Sequence, residues 1–212
     1  MDAAPGQPDP TIPPRPAPDL VPLRIGEGLW ERVFTVAPLV LVGTREGGGY
    51  DFAPKHMAMP LGWEGFYCFV CSPQHSTYAN VLAHRQFTVS FPRHDQMIQT
   101  ALTAAARSPE GDKPTLAALP TIPAQAVDGR LVSGCLLYLE CELERVLDGF
   151  GPNSLVIGRV LAASAAADAL RDADRDDADL VHRLGLVAYL APGRFGIVRE
   201  SRSFPYPAGF RL

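Results

Sequence analysis

Long apolar runs are missing from this chain of 212 residues. No window approaches the ~20 consecutive apolar residues that a membrane-crossing helix needs, so a transmembrane role is not expected. An excess of basic charge is missing as well: 19 lysines and arginines stand against 23 acids, for a net charge of −4. Such a surface does not gather the phosphates of nucleic acid. Cysteine is scarce, at four residues, and the opening Met1-Asp2-Ala3-Ala4-Pro5 has no basic residue leading into an apolar stretch, as an export signal would. The expectation is a cytoplasmic protein with reduced thiols.

Several chemistries are also missing. There is no G-x-S-x-G elbow for a hydrolase nucleophile, no Lys-Ser/Thr after Gly47-Gly48-Gly49 to make a phosphate-binding loop, and no G-x-G-x-x-G opening a βαβ unit. His56, His75, His84, His94 and His182 fall at no metal-binding spacing. Cys68-Phe-Val-Cys71 has the spacing of a metal or redox pair, but it sits in a strand-like run. Positions 68 and 71 then point to opposite faces, and a buried structural role is the expected one. The chain's own side chains are chemically modest, so any redox step calls for a borrowed cofactor.

What is present is mostly strand. Prolines crowd residues 1–22, which excludes helix and central strand there and predicts a flexible, polyproline-like arm ahead of a domain over 23–212. Residues 34–42 form one apolar, β-branched run, Thr44–Gly49 a hairpin tip and Tyr50–Met59 its return strand. Further strands are predicted at 65–71, 87–91, 135–144, Leu155–Ala162 and Val187–Leu190. The run 135–144 alternates, with Cys135, Leu137, Leu139, Cys141 and Leu143 on a buried face and Glu140, Glu142 and Glu144 on a polar one. Helices are predicted at Thr77–His84 with Ser76 as N-cap, at 95–106, from Asp112-Lys113-Pro114 to Leu119, and as a solvated, aspartate-rich segment over 168–183. Many strands with a few short helices read as a closed barrel.

Two segments carry the functional signal. In Ser72–Asn80 a strand ends and a helix begins, and the first turn of a helix offers free N–H groups to an anion such as a phosphate. Ordinary helix capping reads the same residues without a ligand. In Asp51–Pro60 the prolines at 54 and 60 force an edge or a bulge, leaving backbone groups free for the polar rim of a flat heteroaromatic ring, with Lys55 adding charge. A plain exposed edge strand is the alternative.

The order of these segments resembles the flavin reductase-like, FMN-binding split-barrel family. The matching stretches are Leu39–Thr44, Phe52–Met59, Gln74–Asn80 and Gln86–Phe91, followed by the hairpin Leu139–Asp148 with Leu155–Val160 and the tail Tyr189–Phe195. The resemblance spans about Leu23 to Phe210 and implies a mainly β, Greek-key split barrel with a few short helices. Carried over by position, Ala53, Pro54, Lys55, His56 and Met57 would line the isoalloxazine and ribityl chain of FMN. Gln74, His75, Ser76, Thr77 and Asn80 would gather around its phosphate. Three positions depart from the family pattern: His56 stands where a hydroxyl is usual, and Gln74-His75 replaces an Arg-Lys pair.

The resemblance further implies an NAD(P)H-dependent flavin reductase, with NADH or NADPH as transient reductant, FAD as the alternative flavin, a homodimer with the flavin at its interface, and a monooxygenase as a candidate recipient of reduced flavin. The alternatives are a flavin-binding electron carrier or sensor, and a split-barrel relative that holds haem or a deazaflavin.

Overall fold

In the computed structural model, residues 19–109, 111, 113–172, 176–207 and 209 are described; most of the proline-rich arm, and Asp112 of the third predicted helix, lie outside them. The strands are β1 (Thr35–Ala37), β2 (Val40–Glu46), β3 (Gly49–Lys55), β4 (Ala58–Pro60), β5 (Phe66–Cys71), β6 (Gln86–Phe91), β7 (Thr121–Pro123), β8 (Arg130–Val132), β9 (Leu137–Phe150), β10 (Asn153–Ala165), β11 (Leu186–Ala191) and β12 (Arg194–Val198). The helices are α1 (Ser76–His84), α2 (Met97–Leu102) and α3 (Asp177–Leu184). No helix among the described residues is long and apolar enough to cross a membrane.

A seven-stranded antiparallel sheet runs in the order β3-β2-β6-β9-β10-β5-β4. Its two edge strands, β3 and β4, are consecutive in the chain, and only His56 and Met57 separate them. The sheet must therefore curl until its edges meet at that link, where the Val70 amide donates to the Met57 carbonyl at 2.8 Å. The result is a split barrel. Its interior collects alternate residues of successive strands, among them Val40, Val42, Phe69, Phe87, Val89, Cys141 and Val156, with Val81 of α1 joining them. Gly158 belongs to this packing: a Cβ there would stand 2.3 Å from Phe87 Cζ, so the ring occupies the space a side chain would need.

Several expectations are corrected by what the strands have to pair with. The run 34–42 is two strands, because Pro38 has no amide to donate and the chain changes partners there: β1 pairs with β11, whereas β2 pairs with β3 and β6. Likewise the return strand Tyr50–Met59 breaks at His56-Met57 to pass from one sheet edge to the other. The 135–144 alternation is not one buried and one polar face. Tyr138 and Glu140 are buried too, since the segment around β7 and β8 covers the outer side and Glu140 accepts from the amides of Gln125 and Ala126. The predicted helix 95–106 is a 3₁₀ turn, His94–Gln96, leading into α2, which stops at Leu102. Within 168–183, α3 is half-buried rather than solvated, with Leu180 and Leu184 packed on Leu136; residues 173–175 lie outside the described part.

The cysteines behave as buried strand residues. Cys71 joins Tyr67 and Phe69 in the interior cluster, and Cys68 stands on the opposite face of β5. Burial raises the Cys68 thiol and pushes Cys135 and Cys141 up to about 12, far from the thiolate that redox or metal chemistry would need.

Candidate functional site

The site grows from the free edge of β3. Pro54 falls where its missing donor costs no ladder bond, two residues after Phe52, whose carbonyl turns outward to accept from Lys113 Nζ at 3.0 Å. The other parity, Asp51, Ala53 and Lys55, faces the start of α1. Asp51 is 1 % exposed, which an ionised carboxylate tolerates only when paired. Its partners are Lys113 Nζ at 2.8 Å, Arg107 Nη2 at 3.1 Å and the Ser76 hydroxyl, which donates at 3.0 Å.

Each cation of this cluster is consumed by it. Lys113 also donates to the carbonyls of Phe52 and Thr103, at 3.0 and 3.1 Å, beside its ion pair with Asp51. Arg107 pairs with Glu46 at 2.9 Å and donates to the Ser76 hydroxyl at 2.9 Å and the Gly111 carbonyl at 2.6 Å. Two acids and two bases cancel. Lys55 is different: its ammonium reaches Cys71 Sγ at 3.4 Å and meets no carboxylate among the described residues.

Above this cluster α1 begins. The N-cap is His75, in extended conformation, not Ser76, and no side chain closes the helix start. Ser76 is drawn inward by Asp51 instead. The first-turn amides of Ser76 and Thr77 meet no protein acceptor among the described residues. Burial, with Lys55 and then Lys113 nearby, holds the His75 imidazole below the usual histidine range.

These parts enclose a cavity of about 380 Å³. Of the residues singled out in the sequence, it brings together Ala53, Pro54, Lys55, Gln74, His75, Ser76 and Thr77. His56, Met57 and Asn80 lie outside its wall. The His56 ring stacks on Tyr189 at 4.5 Å, Met57 is exposed at the link between the sheet edges, and Asn80 donates to Thr44 Oγ1 at 3.1 Å and Glu46 Oε1 at 3.2 Å. Asn80 thus orients the acid that holds Arg107. The opposite wall, Thr103, Ala104, Ala105, Arg107 and Lys113, was not anticipated. The one signal that pointed to it was Asp51, an acid between apolar residues of a strand, which needs a cation from elsewhere in the chain.

A larger hollow, about 870 Å³, opens beside the first under the glycine turn 47–49 and shares Ser76, Arg107 and Lys113 with it. Its cations are the two already neutralised by Asp51 and Glu46. The smaller cavity combines open helix amides with an ammonium that meets no carboxylate among the described residues. It is suited to a phosphate at one end, while the β3 edge lends a flat wall to a ring.

A family model, Flavin reductase like domain, matches residues 33–185. No curated protein matches the chain at a significant level. Among solved structures, nitrilotriacetate monooxygenase component B from Bacillus cereus is 18% identical, with a TM-score of 0.75 over 89% of this chain and 100% of its own. An FMN-binding protein from Thermus thermophilus, solved with 1-cyclohex-2-enone, is 22% identical at TM-score 0.70, covering 90% and 99%. Flavoredoxin from Methanosarcina acetivorans is 16% identical at TM-score 0.72, covering 90% and 98%. At these identities the likeness is one of fold.

Proposed function

Because the chain belongs to the Flavin reductase like domain family, we propose that it is an FMN-binding oxidoreductase that takes a hydride from NADH or NADPH, with FAD as the alternative flavin. The observation that carries this reading is the 380 Å³ cavity, in which, among the described residues, the open amides of Ser76 and Thr77 face no protein acceptor and Lys55 faces no carboxylate. A phosphate monoester satisfies both. When bound, the flavin supplies the hydride-accepting chemistry that the side chains lack.

The residues then divide the work. Lys55, His75, Gln74 and the two amides hold the phosphate; Ala53 and Pro54 bound the ribityl chain and ring; Asp51 fixes Ser76 and Arg107 from below. Orientation and exclusion of water are the protein's contribution, and no side chain is asked to act as a general base. A second copy of the chain is proposed to cover the exposed Met57, Met59 and Trp63 beside the link, and a monooxygenase is the proposed recipient of reduced flavin. The test is anaerobic addition of NADH, then NADPH, to the protein loaded with FMN. Loss of the visible flavin band is expected with at least one of them. A second reading, electron carriage without nicotinamide, is favoured by the uncharged Gln74 and the depressed His75. Bleaching by dithionite but by neither nucleotide selects it, and failure to retain any flavin removes both readings.

A pH effect follows from His75. Its imidazole is depressed in the free protein, and a phosphate dianion beside it raises it, so binding takes up a proton. FMN affinity should rise as the pH falls through the raised value of the complex and level off below the depressed value of the free protein. Comparison with His75→Asn cancels the titration of the phosphate itself. Identical pH profiles for the two proteins would place His75 away from the anion.

A further inference from the structure

The hollow of about 870 Å³ under the β2–β3 turn adjoins the flavin cavity through Ser76, Arg107 and Lys113. Ser76 supplies one of the open amides of α1, so a phosphate bound there stands where the two spaces meet. The size of the hollow lies within the roughly 300–1,000 Å³ of ordinary small-molecule sites.

Its rim carries more glycine than the backbone needs. Of Gly47, Gly48 and Gly49, Gly47 alone has a positive φ, at 54°. A Cβ on Gly48 would meet nothing within 4 Å, and one on Gly49 only the Glu46 carbonyl at 4.0 Å. Neither strain nor packing therefore accounts for glycine at 48 and 49, which costs chain entropy. Close approach of a ligand to bare backbone does. Glu46, next to the turn, lines the same hollow. Its Oε1 accepts from Asn80 at 3.2 Å and Arg107 at 2.9 Å, whereas Oε2 has no partner among the described residues. Tyr50, Pro114 and Leu116 supply apolar surface.

Charge limits what can enter. Arg107 and Lys113 are met by Glu46 and Asp51, so among the described residues the hollow offers no free cation to a second phosphate monoester. A neutral sugar and base suit such a space: their hydroxyl and amino groups donate to a free carboxylate oxygen, and the base lies on apolar wall. FAD provides both. Its adenosine half begins at the phosphate, and its two linked phosphates together carry about the charge, ~−2, of the terminal phosphate of FMN.

We propose that the hollow under the β2–β3 turn is the adenosine subsite of the flavin site, so that FAD binds more tightly than FMN, with its diphosphate at Ser76 and an adenosine donor on Glu46 Oε2. This rests on the flavin reading and deepens it: FAD becomes the preferred flavin, and the wall around the glycine turn makes the choice.

The test is calorimetric titration of the full chain with FMN and with FAD. FAD is expected to bind roughly 10-fold or more tightly than FMN. An indole in the hollow should remove that advantage. Gly48→Trp and Pro114→Trp, at exposed positions on separate segments of its wall, should each bring FAD to the affinity of FMN and leave FMN unchanged. FMN bound with no preference for FAD, or a preference that survives in both variants, would overturn the proposal and leave the flavin reading standing. Binding of neither flavin by the parent protein would remove the flavin reading, and this subsite with it.

Discussion

Asp51→Ala is expected to cost the fold about 3–5 kcal/mol, the usual range when one member of a buried ion pair is removed. The size comes from what is left behind. The Lys113 side chain is only 10 % exposed and keeps two carbonyl acceptors, but it would carry an uncompensated charge beside Phe52 and Thr103. Arg107 retains Glu46, while Ser76 loses the acceptor that turns it inward. Asp51→Asn keeps an acceptor of the same shape and loses only the charge, so it should fall between the parent and the alanine variant. Adding Lys113→Met to Asp51→Ala should recover part of the loss by removing the stranded charge. Urea-unfolding midpoints of the four proteins decide the matter. A single alanine variant as stable as the parent would mean that the cluster lets water in and the pairing is worth little.

The second large effect concerns affinity. Lys55→Ala should weaken FMN by about 1.5–3 kcal/mol, roughly 10- to 100-fold, as expected for a charge-assisted bond. Lys113 and Arg107 lie against the same cavity yet cannot substitute, because Asp51 and Glu46 already hold them. The variant should also lose most of the salt dependence of binding. Lys55 makes no ion pair among the described residues, so stability should change little. Quenching of flavin fluorescence reads the affinity. An unaltered dissociation constant with normal folding would move the phosphate to another part of the wall.

Local signals served well where a residue's role is set by its neighbours in the chain. The alternation after Cys135, the hairpin glycines, and prolines 54 and 60 located β9, the β2–β3 turn and a sheet edge, because period, φ and the missing donor are properties of the segment itself. Partner exchange was not legible. Nothing inside 34–42 says that β1 leaves for β11, and Glu140 looks solvent-facing until the 124–126 segment is laid over it. The candidate site divides the same way. Its β3 and α1 walls are contiguous motifs, whereas Arg107 carries no local signal, Lys113 reads only as part of a helix start, and both enter through Asp51. Ser76 shows the cost of reading locally: it has the composition of an N-cap, but a buried carboxylate outcompetes the helix amides for it.

A barrel that stays open has two rims, and an exposed rim invites a foreign strand to add on and seed aggregation. Here both rims carry proline: Pro54 in β3 and Pro60 at the end of β4. An incoming chain would find a donor missing from each row. Pro54, which lines the proposed flavin cavity, therefore also makes this edge a poor template for fibrils.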